Sequence, residues 1–428
     1  MTFIKTSLLN GIAVLVKILT LLGINKILAI YVGPVGYAAL GQFQNAVTMI
    51  TTFASGAINT GVTKYTAEYY DDEQRQRSVW RTAGTVAFTG SLLSSLIIAF
   101  FSKNMAVWFL KDESYTGVFL WFAATLMLFV FNALLLAILN GKKEIVRYVN
   151  ANIAGSLFAL SITAILAVQY GLYGALIALA TFQSLAFFTT FFICCRANWF
   201  KFSYLIGNFD MSIGKNLAKY TLMALSTATC VPISHIFVRT YLGEAFGWQA
   251  AGYWEAMWRL SAAYLMLVTT TLSVYYLPRL SELRDSLDLR KEVIQVYKII
   301  LPLSIVCAVL MYLLRDYIIS ILFSAEFYPV RELFLGQVLG DILKIGSWIL
   351  AFLMLGKAMI KFFILTEILF SVSFYFTVVL LTNTWGFEAV SWAYAINYFA
   401  YWITMYFLIF RNLEERVSHG RNDKLFNT

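Results

Sequence analysis

The sequence predicts an all-α integral membrane protein, with twelve transmembrane helices in two six-helix lobes around a central cavity. Three observations predict it. The 428 residues are 60% hydrophobic and 13% charged, with a mean hydropathy of +0.73, whereas soluble domains carry roughly 25% charged residues. Lys and Arg gather in every second connection between apolar runs. Local patterns return after about 215 residues, dividing the chain into two like halves.

Twelve apolar runs approach or exceed the roughly 20 residues that cross a hydrocarbon core. They cover 6–32, 38–67, 82–103, 117–139, 150–168, 174–195, 220–242, 253–277, 293–314, 332–355, 362–382 and 387–410. Five prolines fit long, mostly unbroken helices. The first run is too long for a cleaved signal, contains Lys17 and ends without a small-x-small site, so it counts as a span.

About 22 basic residues fall on one side of these spans, among them Lys5, Arg75, Arg77, Arg81, Lys142, Lys143, Arg196, Lys201, Lys219, Arg279, Arg284, Lys357 and Lys361. The other side holds Lys103, Lys111, Arg315 and Arg331. The positive-inside rule then places both termini in the cytoplasm. The expected division is a first lobe with its cytoplasmic linker over 1–210, a second lobe over 211–410 and a cytoplasmic tail over 411–428. The net charge of +9 follows this topology and excludes nucleic acid as a partner. The charged stretches 70–80 and 281–293 read as short surface helices, and 198–202, with Trp199, Phe200 and Phe202 around Lys201, as a segment at the headgroups. The four cysteines lie in apolar spans without metal-ligand spacing. No nucleophile–base set is visible, so no catalytic residue, metal or cofactor is expected.

The repeat is carried by three matches in one order. Gly36-Tyr37 is echoed by Gly252-Tyr253, Leu139-Asn140-Gly141-Lys142 by Leu355-Gly356-Lys357, and Gly171-Leu172 by Gly386-Phe387. Such repeats are typical of alternating-access transporters that bind cargo between halves.

Six basic residues remain in or near the spans: Lys17, Lys26, Lys64, Arg239, Arg259 and Lys344. A lysine at mid-membrane costs at least about 2.5–3.5 kcal/mol, so it marks a cavity or a partner. Lys17 shares a helical face with Asn10 and Thr6; it either lines a cavity, snorkels or pairs with Glu367. Lys26 lies on the opposite face unless the helix bends at Gly23, and Arg239 takes a similar place in the second half. Arg259 follows Glu255 by four residues, Lys344 follows Asp341 by three, and Lys64 precedes Glu68 by four, so private ion pairs compete with cargo contact. His235 lies one turn before Arg239 and is either a packing residue or a proton carrier. Asp341, His235 and Glu367 are the ion-coupling candidates, with a proton or sodium as counter-ion. Bases outnumber unpaired acids, which points to an anionic cargo, above all phosphate.

The run Val32-Gly33-Pro34-Val35-Gly36-Tyr37-Ala38-Ala39-Leu40-Gly41-Gln42-Phe43, with Gly56-Ala57-Ile58-Asn59-Thr60-Gly61-Val62-Thr63-Lys64-Tyr65, resembles the Wzx family of O-antigen flippases. Gly340-Asp341-Ile342-Leu343-Lys344-Ile345-Gly346 resembles its enterobacterial common antigen branch. The resemblance implies a multidrug/oligosaccharidyl-lipid/polysaccharide exporter fold with a V-shaped cavity. It also implies an undecaprenyl-diphosphate-linked oligosaccharide, the O-antigen repeat unit, as cargo in the bacterial inner membrane. Lys64, Asp341 and Lys344 carry over by motif. Membrane lipids and other O-antigen assembly proteins are the expected partners. A cation-coupled multidrug exporter and a membrane oligosaccharide polymerase are the alternatives; the basic core opposes the first, and the short outer loops the second.

Overall fold

The computed structural model describes residues 3–207, 209–283, 285–357 and 359–410, and every regular element among them is helical. The side chains of Lys5, Thr6, Asn10 and Lys219, together with Arg284 and the 411–428 tail, lie outside the described residues. The chain folds as two compact units, Met1–Pro232 and Ile233–Thr428.

The first unit opens with α1 (Phe3–Tyr31) and α2 (Gly33–Ala54). Gly33 takes φ 67°, and Pro34 presets the first turn of α2. The expected span 38–67 is broken. Gly56 and Ala57 have φ of 62° and 52°, which end α2 and set Lys64 on a separate helix, α3 (Asn59–Glu68). Asp72 then caps α4 (Glu73–Phe100), its carboxylate accepting from the Arg75 amide at 3.0 Å. The charged stretch 70–80 is therefore mostly the start of a long helix and not a separate surface helix. The short α5 (Ser102–Leu110) leads to α6 (Thr116–Gly141) and α7 (Ile145–Cys195). At 51 residues α7 would reach roughly 77 Å as one rod, more than twice a hydrocarbon core of about 30 Å. Gly171, at φ 55° and ψ −132°, breaks it between two of the predicted runs. Helix α6 packs on both α4 and α7, and α7 in turn packs on α1.

Trp199 donates to the Glu144 carboxylate at 2.8 Å and its ring lies 5.6 Å from Trp80, while Phe200 and Leu205 are buried. The linker thus packs on the first unit, because its large aromatic rings find protein surface there. The unit boundary falls inside α8 (Met211–Phe246), at its internal Pro232.

The second unit continues with α9 (Trp248–Thr271), a π-helical turn at Leu272–Tyr276, α10 (Leu277–Glu282), α11 (Ser286–Leu313), α12 (Arg315–Leu322), α13 (Phe334–Gly356), α14 (Ile360–Trp385) and α15 (Ala389–Met405). A shift of about 215 residues takes α2 to α9, α4 to α11, α5 to α12, α6 to α13 and the Gly171 break to Gly386, which has φ 80°. The core of this unit is α13 against α15. A Cβ at Gly340 would come within 2.2 Å of the Tyr394 ring, so this glycine sets the approach of the two helices.

Nine helical stretches among the described residues are long and apolar enough to cross a membrane. The predicted runs 150–168 and 174–195 are one of these nine. Runs 38–67 and 253–277 fall on α2–α3 and α9–α10, where the break at Gly56 and the Glu255/Arg259 pair lower the apolar continuity.

Candidate functional site

A buried polar and aromatic cluster lies wholly within the second unit. Helix α13 presents Gln337, Asp341 and Lys344 at one-turn spacings, α9 presents Trp254, Glu255, Trp258, Arg259, Ser261 and Tyr264, and α15 presents Tyr394 and Tyr398. Asp341 is 1% exposed. Its Oδ2 accepts from Ser261 at 2.7 Å and from the Tyr264 hydroxyl, and its Oδ1 accepts from Tyr394 at 2.7 Å. Gln337 donates to Ser261 at 3.1 Å and extends the network.

Lys344 is 7% exposed and forms no ion pair with Asp341. Its ammonium instead lies 4.5 Å from the Trp258 ring, 4.8 Å from Trp348, 5.2 Å from Tyr398 and 5.5 Å from Tyr394. Four ring faces in cation–π range, each worth about 0.5–2 kcal/mol, replace part of the lost hydration. Asp341 and Lys344, one turn apart, lie within electrostatic range of each other, but the carboxylate takes its hydrogen bonds from hydroxyls and the ammonium sits among π faces. Glu367, half-buried on α14, lies within electrostatic range of Lys344.

Glu255 bridges two arginines. Its Oε2 accepts from Arg239 Nη2 at 2.5 Å and its Oε1 from Arg259 Nε at 2.8 Å. Arg239 is 1% exposed and stacks over Trp254, 5.3 Å from the ring. His235, one turn earlier, is buried against Trp258, Trp254 and Phe374, with centroids 4.1, 5.4 and 6.2 Å away.

In the first unit the basic candidates are more accessible. Lys17 is exposed on α1, and its ammonium makes no ion pair among the described residues. Lys26 is half-buried on the same helix. Lys64, 48% exposed, stands 4.0 Å from Glu68 and over the Tyr65 ring. The structure therefore gathers His235, Arg239, Arg259, Asp341, Lys344 and Glu367 in one unit, with Lys17, Lys26 and Lys64 in the other.

Sequence reasoning missed the groups that hold this cluster: Ser261, Tyr264 and Tyr394 on Asp341, and the rings around Lys344. A signal existed, since Trp254, Trp258 and Ser261 follow helical spacing, as do Tyr394 and Tyr398. Among the described residues no group of His, Cys, Asp and Glu is arranged to hold a metal.

The helix order and the nine long apolar stretches among the described residues define an all-helical, multi-pass membrane protein. It superposes on an inward-facing MATE family multidrug resistance transporter of the MOP superfamily with a TM-score of 0.78, at 15% identity, covering 93% of this chain and 95% of that one. The chain belongs to the polysaccharide biosynthesis protein family, whose model matches residues 39–332. It is 32% identical over 368 residues to the lipid III flippases of Escherichia coli (strain K12) and Shigella flexneri, covering 86% of this chain and 88% of each relative.

Proposed function

We propose that the protein is a flippase that carries undecaprenyl-diphosphate-linked oligosaccharide, the O-antigen repeat unit, from the cytoplasmic to the periplasmic leaflet of the bacterial inner membrane by alternating access. The observation that carries this reading is 32% identity over 86% of the chain to relatives that bear the name of a lipid flippase. The exposed Lys17 supports it, because an unpaired membrane lysine is costly unless it meets water or an anion. In this reading the chain crosses twelve times in two six-helix lobes around a central cavity, with both termini cytoplasmic. The division by lobe is 1–210 and 211–410, with a tail over 411–428.

Lys17, Lys26, Lys64, Arg239, Arg259 and Lys344 are the groups proposed to meet the diphosphate, with Arg239 and Arg259 sharing Glu255 and Lys344 contributing once its aromatic surround opens. Asp341, Glu367 and His235 are the proposed coupling groups for a proton or sodium ion. The superposition on a multidrug transporter concerns the fold alone, and the basic first unit opposes a cationic-drug cargo.

The test is reconstitution into liposomes with a fluorescent undecaprenyl-diphosphate-linked sugar. Leaflet exchange should appear under an imposed proton, sodium or voltage gradient. Exchange no faster than in protein-free liposomes under all three would refute the reading.

A further inference from the structure

An apolar groove in the first unit has no role in the cargo reading. It encloses about 570 Å³ between α4, α6, α7 and the linker. Thr85, Phe88, Leu128, Phe187, Phe202 and Ile206 are among its walls. Thr85 is the one residue with a polar side chain in the lining, and its hydroxyl donates to the Arg81 carbonyl at 3.0 Å and the Gly207 carbonyl at 3.3 Å. The interior therefore offers no free polar group to a sugar, an ion or a chain of waters. An apolar chain is the occupant whose chemistry it matches.

Position and charge narrow that occupant. Three of its walls are helices long and apolar enough to cross a membrane, so the surrounding solvent at this depth is lipid. The groove lies toward the Lys- and Arg-rich end of these helices. Arg81 stands one turn before Thr85 and its Cδ packs on Gly207, while Lys201 immediately precedes Phe202. Both are exposed, and neither forms an ion pair among the described residues. The acids nearest in sequence are engaged elsewhere: Glu73 with Arg77 at 2.6 Å, and Asp210 as acceptor for the Ser212 and Ile213 amides. At about 570 Å³ the groove falls in the range of a site for one small apolar ligand, enough for one acyl chain of a phospholipid.

We propose that the groove binds one acyl chain of an anionic phospholipid, its phosphate held by Arg81 and Lys201, and that this lipid fastens the linker to the first unit. The backbones of α4 and the linker already meet closely, since a Cβ at Gly84 would fall 2.0 Å from the Leu205 carbonyl oxygen. A lipid in the groove would complete the contact at Phe202 and Ile206. The proposal does not depend on the identity of the cargo.

Native mass spectrometry of the full-length protein tests it, with phosphatidylglycerol, phosphatidylethanolamine and undecaprenyl phosphate added in equal amounts. The wild type should retain one phosphatidylglycerol at collision energies that strip phosphatidylethanolamine. Leu128→Trp, which fills the groove, should reduce that retained fraction about tenfold, and Ile206→Trp should do the same from the linker side if Leu128→Trp is not recovered. Arg81→Gln with Lys201→Gln should keep a bound lipid but lose the preference for phosphatidylglycerol. Unchanged retention in the recovered filling variants, or displacement of phosphatidylglycerol by equimolar undecaprenyl phosphate, would overturn the proposal.

Discussion

Arg239, Arg259 and Lys344 are explained by what surrounds them. Glu255 carries two guanidinium groups, and removing one partner from a buried ion pair costs about 3–5 kcal/mol. Glu255→Gln is therefore expected to lower membrane abundance and melting temperature more than Arg239→Ala, which leaves the Glu255–Arg259 pair intact. A thermal-shift assay on the two purified variants checks the order. Lys17 behaves differently because no carboxylate holds it among the described residues. A charge-assisted hydrogen bond contributes roughly 1.5–3 kcal/mol, and 1.4 kcal/mol is a factor of about ten. Lys17→Ala should cut flipping about tenfold or more at normal protein level, and Lys17→Arg should keep part of the activity. Surface-polysaccharide complementation normalised to protein abundance reads this, and wild-type transport by Lys17→Ala would remove it from the site. Asp341→Asn should flatten the pH dependence of transport while cargo binding persists; an unaltered profile would remove Asp341 as the coupling group.

At the scale of the helix, close approach is set by small residues at few positions. Gly340 meets the Tyr394 ring, and Tyr394 in turn donates to Asp341. Gly340→Ala should cost about 1–3 kcal/mol through overpacking, seen as a lower melting temperature. Gly11→Ala, with nothing within 4 Å of the added Cβ, should be neutral or stabilising, since Ala is about 0.8–1.0 kcal/mol better than Gly in a helix. Equal melting temperatures for the two variants would show that the α13–α15 contact yields without cost.

For the whole molecule, the break in α7 decides the topology. If Gly171 turns the chain back across the membrane, Lys142 and Arg196 stand on the same side, and Lys111 stands on the other. Cysteines placed at these three positions should be labelled accordingly by an impermeant reagent in intact cells. Labelling of positions 142 and 196 from opposite sides would mean a single crossing by α7 and an odd helix count.

Much of this architecture was legible in the chain because the bilayer imposes its constraints locally. A run of about 20 apolar residues and a basic connection are properties of contiguous sequence, and Gly171 and Gly386 mark the same break in each half. The sequence by itself also determined which charges lie within spans: Lys17, Arg239, Asp341 and Lys344 were all visible as costly residues. Only the tertiary structure decided their partners. Lys344 sits three residues from Asp341, yet the carboxylate is taken by hydroxyls from α9 and α15, and the ammonium by rings from α9, α13 and α15. Arg239 looked like the counterpart of Lys26, yet Glu255, sixteen residues away across the α8–α9 turn, claims it. The physical reason is that a charge in low dielectric must be compensated by nearby groups, and which groups are near is set by helix packing between segments distant in sequence.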